Sequence, residues 1–133
     1  TKIGMPEINI GSMPRSGGTQ RSPLLIGEAG AKEMLMTGAM IDGREAFRIG
    51  LVNRLVPDGQ ELETALELAS KLSEKAPLAL AAIKQAVHAS RMLNPDQGLE
   101  FEIESGYRLD QTEDRIEGRR AFLERRPPLF RGR

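Results

Sequence analysis

Residues 5–21 read MPEINIGSMPRSGGTQR, and the interpretation of the first part of the chain depends on this run. It places one carboxylate, Glu7, ahead of a glycine-rich turn that opens a predicted helix. Because Pro6 disfavours helix for the residue before it, we expect Glu7 on an extended or turning segment, where a carboxylate can sit at the lip of a pocket. By residue type alone the alternative is a solvated loop acid, which is the commoner state of glutamate.

The composition indicates a globular, helix-rich domain. The 133 residues suit one domain, and 39% hydrophobic with 29% charged residues excludes disordered and collagen-like classes. Aromatic residues make up 4% and tryptophan is absent, so leucine, isoleucine, alanine and methionine have to form the core. Such a core favours helices over β-sandwiches, because strands prefer β-branched and aromatic residues.

Cysteine and histidine usage excludes several kinds of site. The chain has no cysteine and a single histidine, His88, so disulfides, thiolate metal sites, cysteine nucleophiles and histidine clusters are excluded, and we expect no metal site. His88 lies in a predicted helix and is interpreted as a surface or packing residue. Neither a membrane-length apolar run nor a signal-peptide pattern is present, which predicts a soluble, cytoplasmic protein without a membrane partner.

The charges cancel overall but not locally. Nineteen basic residues match nineteen acidic ones, which argues against a nucleic-acid partner. Residues 119–133 nevertheless hold six arginines against one acid, Glu124. These arginines could contact phosphate groups, or they could favour the negative end of a helix dipole; the second interpretation is the more general.

The periodicity predicts an α/β first segment, residues 1–58, and a helical second segment, residues 59–133. Strands are predicted over 2–10, interrupted by proline, and over 51–56. The predicted helices cover residues 19–26, 28–37, 43–49, 60–75, 77–91 and 95–109, and a last one follows Thr112 until Pro127-Pro128. Asp42, Asn94 and Thr112 are the predicted N-caps, and Asp114, in the first turn of the last helix, suits the helix dipole. Apolar residues such as Leu80, Ile83 and Val87 recur at helical spacing and are predicted to point inward. The methionines at 34, 36 and 40 are interpreted as core gap-fillers in preference to the lining of an acyl pocket.

Eight short segments, in this order, resemble the C-terminal half of the crotonase family, the enoyl-CoA hydratases and isomerases. They are PEI at 6–8, GSMP at 11–14, GGTQR at 17–21, TG at 37–38, EA at 45–46, GLV at 50–52, DRIEG at 114–118 and AFLERRP at 121–127. The resemblance implies the last turns of a crotonase-type β-β-α spiral followed by a C-terminal helical trimerisation region. It also implies a homotrimer or dimer of trimers, with the preceding half of the fold outside this chain. The apolar stripes would then face neighbouring subunits or that half, which the pattern alone does not distinguish from a self-contained bundle.

By this resemblance Glu7 matches the glutamate that exchanges a proton with the acyl-CoA substrate. The implied reaction is hydration of trans-2-enoyl-CoA to 3-hydroxyacyl-CoA, with enoyl-CoA isomerisation as an alternative and no cofactor beyond the coenzyme A thioester itself. A second glutamate and the two oxyanion-hole donors would come from the preceding half, so we do not expect this chain to be active alone. From another class, the chain could be a non-catalytic helical oligomerisation module.

Two arginines are candidates for substrate binding. Arg15 stands where hydratases of the family commonly carry glycine: a cation facing the site would weaken Glu7 as an acid, whereas the alternative is a side chain pointing to solvent with its backbone facing the site. Arg125 matches a basic position near the nucleotide portion of coenzyme A, and its neighbour Arg126 is a weaker match. Arginine suits diphosphate and 3′-phosphate groups because its planar fork donates two parallel hydrogen bonds.

Overall fold

The computed structural model describes residues 1–133, which form two compact units, residues 1–61 and 62–133. The first unit holds two short strands, β1 (Lys2–Ile3) and β2 (Ile41–Asp42), a 3₁₀ helix (Pro6–Ile10), and helices α1 (Gly18–Thr37) and α2 (Gly43–Arg48). The second holds almost all of α3 (Glu61–Ser73), then α4 (Pro77–Ala89), α5 (Pro95–Asp110) and α6 (Glu113–Glu124). The helix-rich α/β prediction is confirmed.

The strands form one antiparallel pair, in which Lys2 lies opposite Asp42 and Ile3 opposite Ile41. The pair joins the start of the chain to the entrance of α2. It is shorter than the predicted strand over residues 2–10, which is wrong beyond Ile3: Pro6 begins a 3₁₀ helix, and Gly11 ends it in the left-handed conformation. The prediction missed this turn because proline at a first helical position starts a helix as readily as it interrupts a strand.

The strand predicted over residues 51–56 is also wrong. The backbone N–H groups of Leu51 and Val52 turn back to the carbonyl of Ala46, at 2.9 and 3.4 Å, instead of pairing with another strand. A short apolar run does not by itself show where its backbone hydrogen bonds go. This segment is therefore a bend that closes α2.

Helix α1 is interrupted at Gly27, whose backbone angles (φ 76°, ψ 162°) belong to a region that only glycine enters readily. The break confirms the prediction of two successive helices, 19–26 and 28–37. The N-caps of α2, α5 and α6 were also predicted correctly. Asp42 accepts a hydrogen bond from the Glu45 N–H at 2.9 Å, Asn94 forms a reciprocal capping box with Gln97, and Thr112 caps α6.

The core within this chain is small. The buried hydrophobic side chains belong to Ala31, Met34, Ala46 and Ala121, and no large side chain is fully buried. The prediction that the helical stripes point inward is wrong for Ile83 and Val87, whose exposed fractions are 61% and 55%. No element of this chain covers them, because the helices of the second unit present their apolar faces outward. Exposed apolar surface of this extent is typical of interaction sites.

None of the helices combines the length and the hydropathy needed to cross a lipid bilayer.

Candidate active site

The backbone around Glu7 is fixed by two local hydrogen bonds. The Gly11 N–H donates to the Ile8 carbonyl and the Ser12 N–H donates to the Glu7 carbonyl, both at 3.0 Å. Together with Pro6 at the first helical position, these bonds close a tight turn around the carboxylate. Glu7 thus lies on a turning segment, as its position after a proline indicates, and the turn holds it without any bond to its side chain.

The carboxylate of Glu7 has no partner. The residue is half-buried, and its Oε2 atom is removed from solvent without making a hydrogen bond. Buried polar atoms are nearly always hydrogen-bonded, because an unpaired one loses its hydration and gains nothing in return. A fully solvated loop acid does not fit this geometry. Glu7 is thus an acid whose backbone is fixed by local hydrogen bonds and whose Oε2 is buried and unpaired.

A groove of about 390 Å³ lies between α1 and the segment that carries Glu7. Its apolar wall is formed by Ile8, Met13, Pro14, Ala31, Leu35 and Met36, and an exposed ion pair of Glu28 with Lys32 lies at the polar part of its lining. The lining includes Ile8, the residue that follows Glu7, but not Glu7 itself. The groove is apolar enough to receive an apolar group. Of the three methionines, Met34 is buried as a gap-filler should be. The gap-filler interpretation is wrong for Met36, which is exposed and lines this groove, and for Met40, which is exposed.

The glycine pair at residues 17 and 18 permits a close approach between α1 and the Glu7 segment. A Cβ atom on Gly18 would lie 2.3 Å from the Met5 sulfur and 2.9 Å from the Pro14 Cβ, closer than atoms pack. Any larger residue at this position would push apart the start of α1 and the two ends of the turn. Gly18 thus fixes the turn relative to the helix.

Arg15 follows the buried Pro14 and is itself exposed. It makes no ion pair, and neither a hydrogen bond nor a salt bridge joins it to Glu7. The structure therefore does not bring the two predicted site residues together, and Arg15 as a substrate-binding residue stays a prediction.

A larger depression of about 780 Å³ lies elsewhere in the first unit, along Ile3, Asp42, Val52 and residues 54–58. Its Asp42 carboxylate is already occupied as the cap of α2. The backbone N–H of Glu45 accordingly holds the pKa of Asp42 below its ordinary value. We regard this depression as remote from the chemistry because its other acids, Asp58 and Glu61, are exposed, whereas Glu7 has a buried, unpaired oxygen.

In the second unit, acidic side chains of α6 hold residues 126–133 against this helix. The Asp114 side chain is buried and accepts hydrogen bonds from the N–H groups of Arg131 and Gly132, at 2.6 and 2.8 Å. Its own N–H donates to the Arg133 carbonyl at 3.0 Å. The tail has no regular structure of its own, so these contacts satisfy backbone groups that would otherwise need water.

Glu117 extends the same arrangement. Its carboxylate accepts hydrogen bonds from both Nη atoms of Arg126, at 2.5 and 2.9 Å, and from the backbone N–H of Leu129 at 2.9 Å. Arg126 also donates from Nε to Glu124 at 2.6 Å. The Arg126 guanidinium, followed by the Leu129 N–H, lowers the pKa of Glu117 to about 2. We call these four side chains, Asp114, Glu117, Glu124 and Arg126, the C-terminal clasp.

Sequence reasoning missed the clasp. It assigned Asp114 to the first turn of α6 as a partner of the helix dipole, and it did not single out Glu117. The available signal was their three-residue spacing, which puts both carboxylates on one face of α6, followed by a proline- and glycine-containing tail whose backbone donors need acceptors.

Arg125 sits at the C-terminal cap of α6 and is the one non-glycine residue with a positive φ, 55°. Its N–H donates to the Phe122 carbonyl and the Arg126 N–H to the Ala121 carbonyl, at 3.2 and 3.0 Å. A left-handed conformation costs a non-glycine residue roughly 1–2 kcal/mol. The Arg125 side chain is exposed and forms no ion pair, whereas Arg126 is fully engaged in the clasp. The structure thus separates two adjacent arginines that the sequence left nearly equivalent.

No group of three or more histidine, aspartate and glutamate side chains is arranged to hold a metal ion.

Comparisons with known proteins agree with this architecture. The family model for enoyl-CoA hydratase/isomerase matches residues 1–133. The chain is 43% identical over 132 residues to 2,3-dehydroadipyl-CoA hydratase of Escherichia coli, covering 99% of the chain and 52% of that protein. It is 41% identical over 136 residues to carnitinyl-CoA dehydratase of Citrobacter koseri, covering 98% of the chain and 52% of that protein.

Solved structures give the same result. An enoyl-CoA hydratase from Bacillus anthracis superposes with a TM-score of 0.97 at 36% identity, covering 100% of this chain and 52% of that one. An enoyl-CoA hydratase subunit from Geobacillus kaustophilus gives 0.94 at 44% identity, covering 99% and 51%. The chain spans about half the length of the relatives it matches, and the resemblance to the C-terminal half of crotonases is confirmed. The chain belongs to the enoyl-CoA hydratase/isomerase family.

Proposed function

We propose that this chain carries the proton-transfer residue of an enoyl-CoA hydratase, which adds water to a trans-2-enoyl-CoA and yields a 3-hydroxyacyl-CoA. One observation carries the proposal: Glu7 is held by the backbone of a tight turn, and its buried Oε2 has no partner in the chain. An apolar groove lined in part by Ile8, the next residue in the chain, supports the proposal, because an acyl group needs an apolar surface.

In this proposal the protonated Glu7 carboxyl delivers a proton to the carbon next to the thioester while water adds to the following carbon. A second base takes the proton that this water loses, so the product carries the hydroxyl of the water and the proton of Glu7. Return of a proton from the second base to Glu7 regenerates the starting acid. Negative charge that develops on the thioester oxygen needs hydrogen-bond donors aimed at it. The chain spans half of its relatives, so we assign the second base and these donors to a segment equivalent to their other half. We accordingly expect no turnover from residues 1–133 alone.

The nucleotide end of the substrate is assigned to the arginines. Arg125 is exposed and free of carboxylate partners, which suits a residue that binds a phosphate of coenzyme A. Arg15, exposed beside the Glu7 turn, is a second candidate for substrate contact. Acid–base chemistry on an activated thioester requires neither a metal nor a redox cofactor, so coenzyme A enters as part of the substrate.

Isomerisation of an enoyl-CoA is the second candidate, because one carboxylate that moves a proton between two carbons suffices for it. Glu7, whose Oε2 is buried without a hydrogen-bond partner, fits that reaction as well as it fits hydration. A relative from Mycosarcoma maydis, 37% identical over 133 residues, is named an enoyl-CoA isomerase/hydratase. The two reactions share Glu7 and differ in whether a second base activates water.

A candidate from another class is a helical oligomerisation module without catalysis. The exposed apolar residues of the second unit favour an assembly, and we propose a homotrimer or a dimer of trimers. Among these residues are Leu62, Leu66, Leu99, Ile103 and Tyr107, with exposed fractions between 56% and 71%. Assembly and catalysis are compatible, so the module replaces the enzyme only if no activity is found in any form of the protein.

The test uses the full-length protein that carries this sequence. Crotonyl-CoA is expected to lose its enoyl absorbance as 3-hydroxybutyryl-CoA forms, and light scattering is expected to show a trimer or hexamer. If a 3-enoyl-CoA is converted to the 2-enoyl isomer without hydration of crotonyl-CoA, the isomerase replaces the hydratase. A stable trimer that acts on neither thioester supports the module and overturns both reactions.

A further inference from the structure

The backbone of Arg125 requires support from its surroundings. A left-handed φ of 55° is uncommon for arginine, and residues in such conformations persist where neighbouring contacts determine them. The residues on both sides of Arg125 are fixed. Arg126 is bound through its N–H to the carbonyl of the buried Ala121 and through its side chain to two carboxylates, while Glu124 lies at the end of α6.

The same contacts distribute charge unevenly around this cap. Arg120 donates to Glu124 at 2.9 Å, and Arg126 donates to both Glu117 and Glu124. Arg119 lies 3.8 Å from Asp110. Among the four arginines between residues 119 and 126, only Arg125 is left without a carboxylate. At this cap the chain therefore leaves one guanidinium, that of Arg125, without a carboxylate and pairs the other three with acids.

We infer that Glu117 and Arg126 are positioning residues: their ion pair holds the cap of α6 so that Arg125 presents its guanidinium to a phosphate of the coenzyme A nucleotide. The inference rests on the proposed function, since it needs Arg125 to contact the substrate. It goes further by assigning a role to two residues that touch no substrate and act through the backbone of a third. Arg126, which the sequence offered as an alternative phosphate ligand, is on this account part of the support.

The experiment compares two thioesters in the full-length protein that carries this sequence. Crotonyl-CoA has the nucleotide, whereas crotonyl-pantetheine lacks it. Arg125→Gln is expected to raise KM for crotonyl-CoA roughly tenfold, the size of losing one hydrogen bond to a charged group, without changing KM for crotonyl-pantetheine. Glu117→Gln is expected to raise KM for crotonyl-CoA by about threefold, with kcat and the KM for crotonyl-pantetheine unchanged.

A double-variant cycle separates positioning from ordinary destabilisation. If Glu117 acts through Arg125, Glu117→Gln adds nothing to KM for crotonyl-CoA once Arg125→Gln is present. Glu104→Gln is the matched control, because it removes another exposed arginine partner, that of Arg108 at 3.4 Å, on a different helix. It is expected to change neither KM. Glu124→Gln, which removes the acceptor of the Arg126 Nε, serves as a second variant and keeps the test decisive if Glu117→Gln does not fold.

The outcomes distinguish failure of the positioning role from failure of the proposed function. A Glu117→Gln effect that persists in the Arg125→Gln background, or that affects both thioesters equally, overturns the positioning role and leaves the proposed function intact. An Arg125→Gln variant with unchanged KM for crotonyl-CoA removes the phosphate contact itself and the inference with it. If the unmodified protein does not hydrate crotonyl-CoA, the proposed function is contradicted before any variant is made.

Discussion

The acids of the two units are held in opposite ways. Glu7 is fixed by its own backbone while a carboxylate oxygen stays buried and unpaired. Asp114 and Glu117 are fixed through their carboxylates, which together accept three backbone N–H groups and a guanidinium. The comparison shows that the same functional group is free for chemistry where the backbone alone positions it. Where its oxygens are saturated, it holds the structure together.

The contacts of the two kinds of acid also differ in how far apart the bonded residues lie along the sequence. The bonds around Glu7 join residues three to five positions apart, whereas the Asp114 carboxylate binds backbone groups 17 and 18 residues away. A local turn can place a side chain without help from the rest of the fold. Closing a long segment costs conformational entropy, so the clasp needs strong acceptors.

The largest effect is expected when the unpaired acid, Glu7, is neutralised. Glu7→Gln keeps the shape and removes the transferable proton, so we expect kcat to fall by about 10²–10⁴-fold, the usual contribution of a general acid or base. Steady-state hydration of crotonyl-CoA measures it. Glu33→Gln, an exposed acid of α1 without an ion pair, is the control and is expected to keep full activity. An unchanged kcat in Glu7→Gln would return Glu7 to a structural role.

Next in size is the removal of a saturated acid. Asp114→Asn loses the charge that strengthens two backbone hydrogen bonds, and we expect the free energy of unfolding to fall by about 2–3 kcal/mol. Hydrogen exchange at the Arg131 and Gly132 amides should accelerate, since both donate to this carboxylate. Asp96→Asn, at the equivalent place in the first turn of α5, is the control and should change stability by less than about 0.5 kcal/mol. Protected amides in Asp114→Asn would show that the tail is held by other contacts.

A smaller effect tests whether the backbone really positions Glu7. In Gly18→Ala the new methyl group meets Met5 and Pro14, which flank the turn, so the turn has to move by a fraction of an ångström. We expect kcat to fall by about tenfold, within the range that misplacement of a reacting group produces. Gly98→Ala is the control, because a methyl group at this position on α5 would meet no other atom within 4 Å. Equal activity of both variants would mean that the turn does not depend on this contact.

The smallest effect concerns pH. Because the folded-state pKa of Glu117 is lowered from 4.5 to about 2, this residue stabilises the folded chain above pH 4.5 and loses that contribution as the pH falls from 4.5 to 2. The melting temperature of the unmodified protein should exceed that of Glu117→Gln at pH 7, and the difference should vanish near pH 2. Glu102→Gln, which removes an acid without an ion pair, should leave the melting temperature at pH 7 unchanged. A difference for Glu117→Gln that is constant with pH would show that its charge is not the cause.

Sequence reasoning recovered the parts of this molecule that depend on local chemistry. The caps at Asp42, Asn94 and Thr112 were predicted because their side chains bond to residues three positions ahead. The break at Gly27 was predicted because glycine tolerates backbone angles that other residues avoid. The 3₁₀ helix and the bend at Leu51 were not, since the same apolar residues are compatible with a strand until their backbone partners are known.

The sequence identified Glu7 as the candidate site residue but did not reveal what surrounds its side chain. Glu7 was singled out from its place after a proline and before a glycine-rich turn, yet no pattern reveals that one of its oxygens is buried and unpaired. The difference between Arg125 and Arg126 was likewise hidden, because it depends on Glu117, eight and nine residues earlier. Contacts at that distance depend on how the tail folds back on α6.

The most direct test of the central claim is proton exchange at the substrate. In deuterated water, the unmodified full-length protein is expected to place deuterium on the acyl-CoA carbon next to the thioester, observed by NMR. Glu7→Gln is expected to slow that incorporation by about 10²–10⁴-fold while acyl-CoA affinity is retained. Deuterium incorporation at an unchanged rate in Glu7→Gln would contradict the claim that Glu7 moves the proton.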